Sequence, residues 1–355
     1  MFPMGVLLPV GTRKGLFLLR SGDDRRTWEV EGPLLTGWSV FHATVDPRNG
    51  ALFAATNNFF YGATVQRSDD LGKNWERAEE IGLPEDSGLK LTATWHVEPG
   101  APSEPDTLWV GGDPGVLFRS DDGGRTWEVN RGILEHPTRG TWQPGAGGMC
   151  THSIQLTDGT MYVAISAAGS FRSDDGGESW TPINKSVAAE FLPEHYPEVG
   201  QCVHKLLVHP KRPERLWQQN HCGGYRSDDR GDNWERLDGN GLPTSFGFPI
   251  ALDPDDPDVA YVIPEQSQEH HFTAEGRLGV YRTGDAGASW ELASNGLPDR
   301  AWVAVLREGF AYDDGGLYFG TQSGSVWVSP RGGGEWVEAA RDLPPILSVE
   351  AGEWQ

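Results

Sequence analysis

The stretch SDDGGRTW (Ser120–Trp127) decides the fold because it recurs along the chain. SDDLGKNW ends at Trp75, SDDGGESW at Trp180, SDDRGDNW at Trp234 and TGDAGASW at Trp290. Two weaker copies flank them, SGDDRRTW ending at Trp28 and SPRGGGEW ending at Trp336. Successive tryptophans lie 47, 52, 53, 54, 56 and 46 residues apart, the period of a repeat architecture with seven units. In each copy Asp and Gly supply a side-chain-to-backbone hydrogen bond and a positive-φ position. Each copy is therefore a turn, and the Trp after it packs between neighbouring sheets.

Short apolar strands precede every turn, such as GLFLLRS at Gly15–Ser21, with others such as TLWVGG or TMYVAIS before them. The innermost strands read SVFHATVDP, ATWHVEP, THSIQLTDG, VHKLLVHP, FPIALDP and WVAVLREG. Four antiparallel strands cannot hide both apolar faces alone, so the units must stack. The expected fold is all-β, a seven-bladed β-propeller of four-stranded antiparallel blades in a single domain over residues 1–355. The first turn follows only two strands, VLLPV and GLFLLRS, while LPPILSVEAGE follows the last turn. The C-terminal strand is expected to complete the N-terminal blade, sealing the ring and removing an edge.

The eight-residue motif resembles the Asp-box, or BNR repeat, of sialidases. Over nearly its whole length the chain resembles the WD40/YVTN/BNR-like repeat family of bacterial and archaeal β-propellers. That resemblance implies boxes that brace turns far from any active site, so Asp122, Asp175 and Asp229 are expected to be structural. It also implies a class that includes endoglucanase-like enzymes, sorting receptors and a photosystem assembly factor. Sialidase activity itself is not expected, because seven motifs replace six blades and FGFPIALDP lacks the arginine of the sialidase N-terminal segment.

A net charge of −22, from 51 acidic and 29 basic residues, repels phosphate backbones and argues against a nucleic-acid partner. No apolar run reaches the length of a membrane span, so no membrane partner is expected. The opening MFPMGVLLPVGTRKG reads as a strand rather than a signal segment. Three cysteines form no disulfide framework and suggest a reducing, cytoplasmic location. A closed ring leaves no edge that demands pairing, so a monomer is the default.

With the Asp turns between third and fourth strands, the fourth-to-first and second-to-third loops gather at the opposite end of the ring, where ligands are expected. Cys150-x-His152 and Cys202-x-His204 begin inner strands of adjacent blades, at places that Ala93, Phe248 and Trp302 occupy elsewhere. Nearby loops add Asn220 and His221, Glu265 and His271, and His136, Arg139 and Trp142. His152, His204 and His221 with Glu265 are candidate ligands for one divalent ion, with zinc, manganese and nickel indistinguishable. Residues i and i+2 of a strand lie over ~6 Å apart, so Cys150 and Cys202 are read as packing residues unless a bulge intervenes. Without metal, Glu265 serves as general acid or base beside the histidines, while Arg139 and Arg300, with Arg13 and Lys14, clamp an anionic or polar sugar. Trp38, Tyr61 and Trp142 offer faces to sugar rings, and NNFFYG (Asn57–Gly62) is expected to plug the channel or line a pocket. The functional expectation is a hydrolase or lyase, glycosidase-like, acting on a carbohydrate or other polar small molecule. The alternatives are a non-catalytic ligand- or metal-binding propeller and an interaction or assembly scaffold.

Overall fold

The computed structural model describes residues 5–157, 159–237 and 240–354; Met1–Met4, the start of the opening apolar stretch, lie outside it. The serine–aspartate turns are built as their chemistry requires. Ser120 Oγ donates to Asp122 Oδ1 at 2.8 Å and accepts from the Gly124 amide at 2.9 Å. Asp122 accepts from the Arg125 and Thr126 amides and from Thr126 Oγ1. Gly124 sits at φ +88°, and an added Cβ would lie 3.1 Å from Phe53 of the preceding sheet. The same Ser/Thr-to-Asp bond closes the turns at Asp70, Asp175, Asp229 and Asp285.

These turns join the outer strands of seven antiparallel sheets. The inner strands of sheets two to seven are Ser39–Val45, Ala93–Pro99, Thr151–Thr157, Val203–His209, Gly247–Leu252 and Phe310–Asp313. The first sheet runs Ile346–Val349, Gly5–Thr12, Gly15–Ser21, Glu29–Leu34, so the C-terminal strand is its innermost member. Val349 pairs with Val10 and Ser348 with Gly11. Apolar clusters fill each space between successive sheets, and every one holds a turn tryptophan. Trp127, for example, packs with Phe53 and Val65 of the second sheet and Val110 and Phe118 of the third. The cluster that holds Leu8, Tyr318 and Val328 joins the seventh sheet to the first. Among the described residues no helix is long and apolar enough to cross a membrane.

In the seventh sheet the inner strand begins at Phe310, not within WVAVLREG as the sequence reading expected. Residues 301–306 run as irregular chain with Trp302 61% exposed. Five inner strands carry a register shift near their start: between Val40 and His42, Thr94 and His96, Thr151 and Ser153, Val203 and Lys205, and Gly247 and Ile250. The bulged residues are Phe41, Trp95, His152, His204 and, with Pro249, Phe248. Bulges re-aim side chains, and here they bring large rings towards the axis. The residue equivalent to His204 in the third sheet is thus Trp95 rather than Ala93, and in the seventh Arg307 takes the place expected for Trp302.

Candidate functional site

Two consecutive positions of the bulged strands meet across the axis in two layers. The outer layer is aromatic and cationic. The Arg307 guanidinium lies 5.7 Å from the Trp95 ring and 5.6 Å from Phe248. Phe41 packs 4.6 Å from Trp95, and Phe248 stacks on His204 at 4.4 Å. Since Trp95 and Arg307 belong to the third and seventh sheets, these contacts span the centre.

The next residues along the same strands form a buried ion layer. Lys205 Nζ donates to Glu308 Oε2 at 2.5 Å, and His96 Nδ1 lies 3.4 Å from that oxygen, an ion-pair rather than a hydrogen-bond distance. His96 Nε2 lies 3.2 Å from Glu98, His42 Nε2 3.5 Å from Glu350, and the two imidazoles stack at 4.0 Å. Burial lowers the His96 pKa, but Glu308 and a hydrogen bond to Glu98 outweigh it and bring it up to about 9. Burial, reinforced by the neighbouring His96 charge, holds His42 below its ordinary value. Burial raises Glu308, yet Lys205 and His96 keep it well below the usual carboxylate range. Burial likewise raises Glu350, and the neighbouring His42 imidazole more than offsets this. His42, His96 and Glu308 have donor atoms within 4.8 Å of one another. The Lys205 ammonium already supplies the cation there, so this group is a self-compensated ion network.

The ion layer floors a cavity of about 1620 Å³ whose lining includes His96, Glu98, Gln155, Lys205 and Glu350. Asp23, Arg25 and Leu71 of the repeated turns also line it, so it opens on the Asp-turn side, opposite to the end expected from the loops. The physical reason is side-chain size. Gly100, Ala101, Pro210, Pro254 and Ala311 are among the residues that line that end, whereas the bulged aromatic layer fills the other.

At that other end the structure brings together only part of the expected group. Cys202, His204 and His221 have donor atoms within 4.8 Å of one another. His152 stands outside this group; it is fully buried and its Nε2 lies 2.9 Å from the Val203 carbonyl. Glu265 also stands outside it. Its carboxyl is buried, with Oε2 3.1 Å from His271 Nδ1 and Oε1 without a partner, and burial pushes it up to about 8. Phe246 lies between, 5.4 Å from His221 and 5.6 Å from His271. Cys150 is fully buried, its thiol pushed up to about 12 by burial.

The remaining candidates are spread over the same end. Arg139 donates to the Gly115 and Pro114 carbonyls and lies over Trp142, which is itself buried. His136 is buried against Trp142 and Phe171 and bonded to Thr138 and the Trp180 carbonyl, so these three brace a loop. Asn220 is buried and caps the Cys222 amide. Arg13, Lys14 and Arg300 are exposed, the last 6.0 Å from Trp302. Trp38 stacks on Tyr61 at 5.9 Å, and Asn57 donates to the Thr92 carbonyl. NNFFYG neither plugs the axis nor lines the cavity. Asn58 Oδ1 caps the Phe60 amide in a tight hairpin that holds Phe59, Phe60 and Tyr61 95%, 85% and 68% exposed. With Phe191, Tyr196 and Trp302 they make the loops of this end conspicuously aromatic.

Sequence reading missed His42, His96, Glu98, Lys205, Glu308 and Glu350. The available signal was the aromatic–His pair at Phe41-His42 and Trp95-His96, repeated at one strand position in adjacent sheets.

No protein-family model matches the chain. A xyloglucanase of Paenibacillus sp is 27% identical over 177 residues, 44% of this chain and 16% of that protein. The photosystem II assembly lipoprotein Ycf48 of Synechococcus sp. (strain CC9902) is 27% identical over 135 residues, 38% of this chain and 33% of its own length. The matches therefore span a third or less of these relatives. Among solved structures, an ancestral GH74 enzyme superposes with TM-score 0.60 at 15% identity, covering 90% of this chain and 39% of that one. Ycf48 bound to D1 peptide gives 0.57 at 15% identity, covering 92% and 86%. A putative 6-phosphogluconolactonase of Bacteroides uniformis gives 0.58 at 12% identity, covering 98% and 99%. The fold is that of β-propeller proteins: all-β, with seven antiparallel sheets.

Proposed function

We propose that the chain is a single closed propeller that acts as a hydrolase or lyase on a carbohydrate or other polar small molecule held in the axial cavity. The observation that carries this is the pair of Glu–His contacts on the cavity floor, whose imidazoles are shifted in opposite directions. Neighbouring titratable groups pushed apart in this way are suited to opposite roles in proton transfer. His96, protonated at neutral pH, is the proton donor, and Glu350, ionised beside neutral His42, is the acceptor. Glu98 and Glu350 side chains are 32% and 35% exposed, so both reach a ligand in the cavity. The similarity to xyloglucanases and to a lactonase-like propeller supports a carbohydrate-related substrate. The three free cysteines support a reducing compartment. A panel of xyloglucan and other oligosaccharides and sugar lactones, read by mass spectrometry, tests the proposal. Glu350→Gln should lower kcat about 100-fold or more with little change in KM; turnover unaffected by this change, or absent across the panel, contradicts it.

A second reading, an assembly scaffold, is favoured by the exposed Phe59, Phe60, Tyr61 and Trp302, aromatics of the kind found in interfaces. The similarity to Ycf48 supports it. Capture of a polypeptide partner that is lost on Phe60→Ser while turnover remains absent would favour this second reading.

A further inference from the structure

We infer that Cys202, His204 and His221 form a mononuclear site for a borderline-soft divalent ion of the zinc type, with the fourth position open. This stands independently of the chemistry proposed for the cavity.

The donors come from two segments that the local backbone forces together. In a regular strand Cys202 and His204 would project over ~6 Å apart, but the register shift between Val203 and Lys205 makes His204 the bulged residue. His221 arrives from the turn after Arg212–Asn220, its amide bonded to the Cys202 carbonyl at 2.9 Å. One donor atom from each residue then lies within 4.8 Å of the other two. A tetrahedral ion with bonds of about 2.0–2.3 Å needs these separations to be roughly 3.3–3.8 Å, so ion binding draws the three donors together.

The second observation concerns the remaining ring nitrogens. His204 Nδ1 lies 2.6 Å from the Gly247 carbonyl, and His221 Nε2 lies 2.6 Å from Gln268 Oε1. Both oxygens only accept, so each of these nitrogens carries a proton and the other nitrogen of each ring presents a lone pair. This is how outer partners orient metal-binding imidazoles. Apolar walls complete the site: Phe248 stacks on His204, and the edges of Phe191 and Phe246 meet His221 at 5.3 and 5.4 Å. Cys202 and His221 are only partly buried, which leaves an entry path. Two imidazoles and one thiolate select zinc or its mimic cobalt over magnesium, calcium or manganese.

The experiment uses the 355-residue chain, stripped with a chelator and titrated with zinc against a chromophoric competitor, then separately with cobalt(II). One zinc per chain is expected, and a cobalt form with a thiolate-to-cobalt charge-transfer band. C202S should abolish that band, and C202S and H221A should each weaken zinc at least ~100-fold, given that loss of an outer partner alone costs about 10–100-fold. Q268A should fall in that smaller range, and C150S should bind as wild type does. Circular dichroism confirms that each variant is folded, and the conservative C202S carries the test should H221A not be. Substoichiometric zinc in the wild type, or stoichiometric zinc indifferent to C202S and Q268A, overturns the assignment.

Discussion

Replacing Lys205 by Met removes the cation that faces Glu308 across the axis and leaves a carboxylate only 3% exposed without its 2.5 Å partner. Breaking a buried pair from one side costs about 3–5 kcal/mol. Protonated His96, 3.4 Å from the same oxygen, remains and moves the expected loss to the lower end, ~3 kcal/mol at pH 7. For 355 residues the unfolding entropy is about 0.75 kcal/mol/K, so the melting temperature should fall by ~4 °C. The deficit should grow with pH. His96 has a folded pKa of about 9 against an ordinary 6.5, so its contribution is complete below 6.5 and is lost as pH rises through about 9. Calorimetry and urea denaturation at pH 7 and pH 10, with Lys205→Met and the double variant Lys205→Met/Glu308→Gln, measure both effects. The double variant should recover much of the loss, since no uncompensated charge is left. A single variant as stable as wild type at both pH values, or a double variant worse than either single change, would refute the ion-layer account.

Three further outcomes follow from the same geometry. Asp122→Ala, which removes the acceptor for two turn amides and two hydroxyls, should destabilise by about 1–2 kcal/mol in denaturant melts without altering the strand content. Glu265→Gln should stabilise the fold at pH 8 and leave it nearly unchanged at pH 4.5. The carboxyl keeps its proton to about 8, so the unfolded chain alone ionises from 4.5 upward and wild-type stability falls across that interval; thermal melts at both pH values check it. Phe59→Ser and Phe60→Ser should shift stability by no more than ~0.5 kcal/mol because both rings stand in solvent, while self-association at high concentration, read by light scattering, should decrease.

The repeated turn made the seven sheets legible, because Ser, Asp, Gly and Trp act within one short segment and leave a local signature. The placing of the C-terminal strand beside Gly5–Thr12 followed from counting strands at the two ends. The inner strand of the seventh sheet was misplaced, since WVAVLREG is apolar enough for a strand yet runs as irregular chain before Phe310. At the opposite end, His204 and His221 were expected near each other and do meet, whereas Cys202 was read as packing because a regular strand keeps it from His204, a separation that the bulge closes. Lys205, Glu308 and Glu350 gave no local signal. Each looks like an ordinary charged residue until three distant strands bring it against His42 and His96.

The most direct measurement is a crystal structure of the chain soaked with oligosaccharides that bind it in calorimetry. Density in the axial cavity, against Glu98 and Glu350 on the side of the repeated turns, is the result expected. Density confined to the Phe59–Tyr61 and Trp302 loops at the opposite end would contradict the account.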